Sequence, residues 1–249
     1  MSEVLIQLRD LCIATPERKL IEGVSADIYS EKVTALCGPS GSGKSLTARA
    51  MMGVLDVMPG IQKGSLIYPK LDPQKDWFAN ILGKGMSAQR KLLRETQELR
   101  GQYFTYSPQS ASSALNPGRT IGRQLEMAIA RRSQTPESVG AEIVRILKEV
   151  GLDKTVSSAL PSELSGGMCQ RAALAIAVAP KPALVIADEP ETGLDPVLRR
   201  SVIELLIKVV RQNGAGLVLI SHHEDTVERI ADNVVRLKGY EEQLSGEEQ

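Results

Sequence analysis

The chain has 249 residues, with 30 Lys and Arg balanced by 30 Asp and Glu, so its formal net charge is zero. That balance excludes a global basic field of the kind that holds a protein on nucleic acid or an anionic bilayer. With 42% hydrophobic and 24% charged residues, disorder and fibre are excluded, and the length fits one large domain or two small ones.

In chain order, the N-terminal run MSEVLIQLRDL carries charges inside its apolar stretch, unlike a signal peptide, and no stretch approaches a membrane-spanning length. Val33–Cys37 (VTALC) is a short, continuous apolar run that reads as a buried strand. Residues 45–53 follow with a helical pattern. Residues 62–102 are charged and irregular, and hold the only Trp, Trp77; within them 86–100, rich in Lys, Arg and Glu, reads as a solvated helix. Residues 120–179 are almost wholly helical, with Val139, Ile143, Ile146, Leu147 and Val150 on one side of the 137–150 helix. Apolar strands at 184–187 (LVIA) and 217–220 (LVLI) flank a helix over 197–211 whose Ile203, Leu206, Ile207 and Val210 share a face. Strands alternating with helices predict an α/β fold with a mostly parallel sheet and an inserted helical subdomain. Two Phe, one Trp and five Tyr imply an aliphatic core. Cys12, Cys37 and Cys169 are odd in number and widely spaced, which argues against a disulfide framework or a cysteine zinc site and fits a reducing cytoplasm.

Three stretches carry chemistry. Gly38-Pro39-Ser40-Gly41-Ser42-Gly43-Lys44-Ser45 fits the phosphate-loop pattern, directly after a strand and before a helix. Glycines let the backbone bend around an anion, amide groups and the helix N-terminus favour negative charge, Lys44 reaches β- and γ-phosphates, and the Ser45 hydroxyl can ligate Mg²⁺. The strand at 184–187 ends in Asp188-Glu189, two carboxylates where open α/β sheets bind ligands. Asp188 suits Mg²⁺, and Glu189 suits orientation or deprotonation of a water. Leu164-Ser165-Gly166-Gly167-Met168-Cys169-Gln170-Arg171 opens an apolar helix with a second anion site, made of a serine hydroxyl, unhindered amides and the positive helix end. One nucleotide has one γ-phosphate, yet the chain offers two sites. Two chains facing head to tail resolve this.

The ordered set GPSGSGKS, Gln109 in YSPQ, LSGGM, LVIADEP, Asp195 in TGLDP and His222 in LISHH resembles the nucleotide-binding subunits of ABC transporters, from the strand pair at the N-terminus to about Lys238. More narrowly, YSPQSASSALNPGRTIGRQL, with Ser113, Leu115, Asn116 and Pro117, and ELSGGMCQR are similar to the ATPase subunits of peptide and nickel importers. The resemblance implies a P-loop NTPase fold of the ABC type: a RecA-like core with a small antiparallel β subdomain and an inserted helical subdomain. It implies one ATPase domain over 1–249, with 1–110 and 181–240 as the nucleotide-binding core and β subdomain and 111–180 as the helical signature subdomain. By its own composition 241–249 reads as a solvated acidic tail, and no regulatory domain is expected. ATP and Mg²⁺ are the implied cofactors, with Ser45, Gln109 and Asp188 toward the metal. Ser165, Gly166 and Gly167 complete the γ-phosphate site of an opposing subunit and Asp195 lines that seam. Glu189, His222 and Gln109 act on the attacking water.

The implied partners are two transmembrane permease subunits, a second ATPase subunit, more readily a related chain than a copy, and indirectly an extracytoplasmic solute-binding protein; nucleic acid is not among them. The implied place is the cytoplasmic face of the inner membrane, and the cargo a peptide, nickel or a metal chelate. A soluble ABC-type ATPase that remodels a non-transport enzyme complex is the alternative. The chain also departs from the pattern. Such ATPases usually stack adenine on an aromatic residue some two dozen residues before the phosphate loop, whereas no aromatic precedes Tyr29, which leaves Arg18 or another non-aromatic side chain. Glu191 and Gly193 replace the common Thr or Ser and Ala, and His223 stands where relatives usually carry Asp.

Overall fold

Along an eleven-residue strand, β1 (Val4–Ala14), Ile6 and Leu8 are buried in alternation and, past a register shift between Leu8 and Leu11, so are Leu11 and Ile13, a period of two interrupted by an irregularity in the strand. The computed structural model describes residues 2–109, 111–192, 196–221, 227 and 229–239, so Gly193, Asp195, His222, His223 and the tail 241–249 lie outside the described residues. The chain divides into two units, one from residues 1–100 and 218–249, the other from Gly101–Leu217.

In the first unit, β1 pairs antiparallel with β2 (Lys19–Tyr29) and with β4 (Gly60–Ile67), giving the order β2-β1-β4. The strand β4 falls within the stretch that the sequence reads as irregular. Its glycines and Gln62-Lys63 break the apolar run, because an edge strand keeps one face toward water. Beneath this sheet, Tyr68 is fully buried and donates its hydroxyl to the Met51 carbonyl at 2.7 Å. Trp77 stacks at a tilt 5.3 Å from Tyr68, with the Lys75 ammonium 3.5 Å over its ring. The strands β3 (Val33–Cys37) and β8 (Asn233–Arg236) pair parallel here beside β7 (Gly216–Ile220), of which Val218–Ile220 fall in this unit, and every residue of β3 is buried as in a sheet covered on both faces. Asp232 fixes the start of β3 by accepting from the Val33 amide at 2.8 Å. Helices α1 (Lys44–Met51) and α2 (Gly85–Glu95) complete the unit; α2 buries only Gln89 and Leu92 and ends short of the full 86–100 stretch that its charge pattern predicts.

In the second unit, β5 (Phe104–Ser107) pairs parallel with β6 (Leu184–Asp188), Tyr106 facing Ile186 and Ser107 facing Ala187. A short turn of helix, α3 (Ala111–Ala114), then leads to α4 (Ile121–Ile129), α5 (Val139–Glu149), α6 (Gly166–Val178) and α7 (Pro196–Gln212). Hydroxyl caps start three of these helices: Thr120 accepts from Arg123 N, Ser138 from Ala141 N and Ser165 from Met168 N. The expected face of α5 is inside at Ile146, Leu147 and Val150, each worth about 1.5–3 kcal/mol of transfer free energy. On α7, Ile203, Leu206 and Val210 are buried together with Val209. Arg132, just past α4, donates to the Ala179 carbonyl at 2.6 Å and pairs with Glu142 of α5 at 2.6 Å, so one guanidinium ties three helices. Glu142 also accepts from Arg145. The Arg145 hydrogen bond, with help from Arg132, pulls its carboxyl down to about 2. The architecture is thus a mixed α/β fold with one antiparallel sheet and parallel strands between helices.

Candidate functional site

The phosphate-loop residues connect β3 to α1. Gly38 lies against the strand end of β8: a Cβ there would stand 2.5 Å from the Leu237 carbonyl oxygen. Gly43 caps α1 at φ 91°, and a Cβ on it would press to 2.8 Å from Ile21 Cγ1. Glycine is required at both places by contact as well as by torsion. Pro39, Ser40 and Gly41 are exposed at the loop's crest, Ser42 is buried, and Ser45 is half-buried on the first turn of α1. The Lys44 side chain folds over the loop, 5% exposed, its ammonium donating to the carbonyls of Gly38 at 2.7 Å and Pro39 at 2.9 Å. Ser42 Oγ is buried without a hydrogen-bond partner among the described residues. A lysine held at the mouth of a glycine-bent loop and a hydroxyl inside it fit a polyphosphate anion.

The carboxylates stand at the end of β6, in the second unit. Asp188, 6% exposed, accepts from the Tyr106 hydroxyl at 2.6 Å. Glu189, 7% exposed, accepts from Gln109 Nε2 at 2.8 Å and from Thr192 Oγ1 at 3.2 Å, and its carbonyl accepts from Thr192 N at 3.0 Å. Its backbone takes φ 49°, left-handed for a non-glycine residue. Such a conformation costs on the order of 1–3 kcal/mol and persists where neighbours over-determine it; here the Thr192 turn and two side-chain bonds do so. The parallel register of β5 against β6 produces this cluster, since it carries Tyr106 beside the strand that ends in Asp188 and delivers Gln109 just beyond. Among the described residues no group of three or more His, Cys, Asp or Glu side chains could hold a metal by itself.

Ser165, Gly166 and Gly167 form an open helix start. Ser165 and Gly166 are exposed, and a Cβ on either glycine would meet nothing within 4 Å. The Ser165 hydroxyl accepts from Met168 N at 3.4 Å, a long cap that leaves the oxygen accessible. Cys169 next to it turns inward toward the Pro161 carbonyl at 3.4 Å, and burial pushes its thiol pKa up, as expected of an inert thiol. Asp195 and His222 are outside the described residues.

Sequence reasoning passed over four residues that the structure places around these features. Tyr106 and Thr192 bind the two carboxylates. Gln170 Nε2 donates to the Pro190 carbonyl at 3.0 Å. Gln124, 8% exposed, clamps the turn after Gln109's loop: its Oε1 accepts from Asn116 N at 2.8 Å, and its Nε2 donates to the carbonyls of Asn116 at 3.0 Å and Arg119 at 2.9 Å. Tyr106 was legible in YSPQ as the residue three before the glutamine; the others leave no local signal.

Comparison with known proteins places the chain in a family. The ABC transporter family profile matches residues 21–192, more than half of the chain. An oligopeptide transport ATP-binding protein, OppD of Lactococcus lactis subsp. cremoris, is 33% identical over 225 residues, 89% of this chain and 62% of that protein. A nickel import ATP-binding protein, NikD of Brucella abortus, is 32% identical over 226 residues, 89% of this chain and 77% of its own. A solved structure described as the ATP-binding subunit of an ABC transporter superposes with a TM-score of 0.69 at 26% identity, covering 94% of this chain and 85% of that one. The chain belongs to the ABC transporter family, and its fold is that of the family's ATPase domains. It spans 62% of the length of the oligopeptide relatives it matches.

Proposed function

We propose that the chain binds and hydrolyses ATP as a subunit of an ABC importer, coupling closure of two ATPase chains to uptake of a small solute such as a peptide, nickel or a metal chelate. The observation that carries the reading is the arrangement at Glu189: a buried carboxylate at a strand end, held in a strained backbone and bonded to Gln109 at 2.8 Å. A side chain fixed this way suits a general base or a water-orienting group.

In this reading Lys44 exchanges its bonds to the Gly38 and Pro39 carbonyls for bonds to phosphate oxygens. The exchange needs no new charge in the site, since the ammonium is already at the loop's mouth. Gly38 to Gly43 supply the bent backbone, and Ser45, Gln109 and Asp188 would hold Mg²⁺, whose charge would offset that of the phosphates. Glu189 takes or orients the proton of the attacking water while Gln109 donates to the same carboxylate and fixes its rotamer. Ser165, Gly166 and Gly167, open and uncovered, serve the γ-phosphate of an opposing ATPase subunit, with Asp195 at that seam and His222 beside the phosphate and water. Contacts made only when two chains close are the ones that convert binding into motion, since a ligand shifts a conformation only by its difference in affinity between states.

The partners are two transmembrane permease subunits, a second ATPase subunit and, through the permeases, an extracytoplasmic solute-binding protein. Among the described residues no helix is long and apolar enough to cross a membrane. The likeness to the oligopeptide and nickel import ATP-binding proteins supports a peripheral place on the cytoplasmic face of the inner membrane. The relatives named for oligopeptide transport and nickel import support this class. Affinity purification of the tagged chain from detergent-solubilised membranes tests it. Two polytopic membrane proteins and a second ATPase in stoichiometric yield are the expected result, and a soluble enzyme complex in their place overturns the importer assignment.

A further inference from the structure

Gln170 lies on the second turn of α6, downstream of the Ser165 cap, and its amide reaches out of the helix to the chain segment that follows Glu189. The Nε2–Pro190 oxygen distance is 3.0 Å. A carbonyl only accepts, so the amide nitrogen makes this bond. Proline has no N–H with which to anchor its own position, which makes its carbonyl the handle for this stretch of backbone. Immediately before it stands Glu189 at φ 49°, a residue whose carboxylate direction depends on where the next peptide is held. Gln170 and Gln109 both line a narrow cavity with Ser107, Ala187 and Pro190. The two glutamines therefore hold the Glu189-Pro190 corner from two sides, one by the side chain and one by the backbone.

We propose that Gln170 is a positioning residue that links the start of α6 to the Glu189 carboxylate through the Pro190 carbonyl. The inference rests on the reading of Glu189 as the group acting on the attacking water. Ser165, Gly166 and Gly167 begin the same rigid helix that carries Gln170 one turn later, so a load on the helix start reaches Pro190 through a single hydrogen bond. N–H···O bonds keep their strength only over about 2.7–3.2 Å, so a displacement of a few tenths of an ångström at the helix start alters the hold on Glu189. The signature segment and the hydrolytic carboxylate of one chain are thereby coupled without any contact between them.

The test uses the full chain with Gln170→Met, which keeps volume and removes the donor, and Gln170→Glu, which keeps shape and replaces the donor with an acceptor. Expected for both are an MgATP affinity within about twofold of wild type, an unchanged KM, and a kcat reduced about three- to tenfold, the worth of one neutral hydrogen bond. Thermal unfolding of each variant is compared with wild type, and whichever variant retains the wild-type melting profile carries the test. The decisive readout is a cycle with Glu189→Gln under single-turnover conditions. A residue acting through Glu189 causes no further loss in that background, whereas an independent structural effect multiplies. Equal losses in the two backgrounds, or full turnover in the folded Gln170 variants while Glu189→Gln is slow, overturns the inference alone. Full turnover by Glu189→Gln overturns the hydrolytic reading beneath it and the inference with it.

Discussion

Replacing Glu142 by Gln removes one carboxylate from the knot that joins α4, α5 and the end of α6. The Glu142 side chain is 12% exposed and that of Arg132 is 6% exposed, so the pair is shielded from solvent, while Arg145 on the other side is 43% exposed. The carboxyl pKa falls from 4.5 to about 2, which at about 1.4 kcal/mol per pKa unit corresponds to about 3 kcal/mol. Solvent screening of the Arg145 contact lowers the working figure to about 2–3 kcal/mol. A carboxyl depressed in the folded state stabilises it above its unfolded pKa and loses that contribution as pH falls through the folded value. The gap between wild type and Glu142→Gln is therefore complete above about pH 5, shrinks progressively below 4.5, and closes near 2. Urea unfolding followed by far-UV circular dichroism at pH 7, 5, 4 and 3 measures it. A gap under about 0.5 kcal/mol at pH 7, or one equally large at pH 3, would show that the ionised carboxylate does not hold these helices together.

Other expectations follow from single sites. Lys44→Ala removes the ammonium at the loop's mouth and should weaken ATP binding at least tenfold by calorimetry, with little change in the fold. Gly43→Ala places a methyl group at φ 91° and 2.8 Å from Ile21 Cγ1; a loss of about 1–3 kcal/mol in denaturant stability is expected, and a neutral result would contradict the packing described for the loop. Tyr106→Phe deprives the buried Asp188 carboxylate of its phenol donor and should cost about 1.5–3 kcal/mol, the worth of a hydrogen bond to a charged group. Gln124→Leu frees one amide and two carbonyls of the 116–119 turn, and hydrogen exchange at those amides should accelerate at least tenfold while the core amides of β6 remain protected.

The parts legible in the sequence were those whose chemistry is local. Gly38 to Ser45 announce themselves because a phosphate loop needs glycine, lysine and serine at fixed spacing next to a strand and a helix. Asp188-Glu189 is visible because an apolar strand ends abruptly in charge. Long-range partners were not visible: Gln109 and Glu189 are 80 positions apart, and only the parallel register of β5 on β6 joins them. The strand β5 itself was missed because Phe-Thr-Tyr-Ser is short and half polar, its outer residues being occupied by the carboxylate site. The edge strand β4 was hidden by glycines that a half-exposed edge tolerates. Gln124 and Gln170 look like ordinary helix glutamines, and only the backbone carbonyls they reach show their role.

Glu189→Gln in the full chain separates ATP binding, assigned to Lys44, from hydrolysis, assigned to Glu189. MgATP affinity and γ-phosphate release are measured on the same preparation. Affinity within about twofold of wild type and release at least a hundredfold slower are expected; release at the wild-type rate would remove Glu189 from the hydrolytic step.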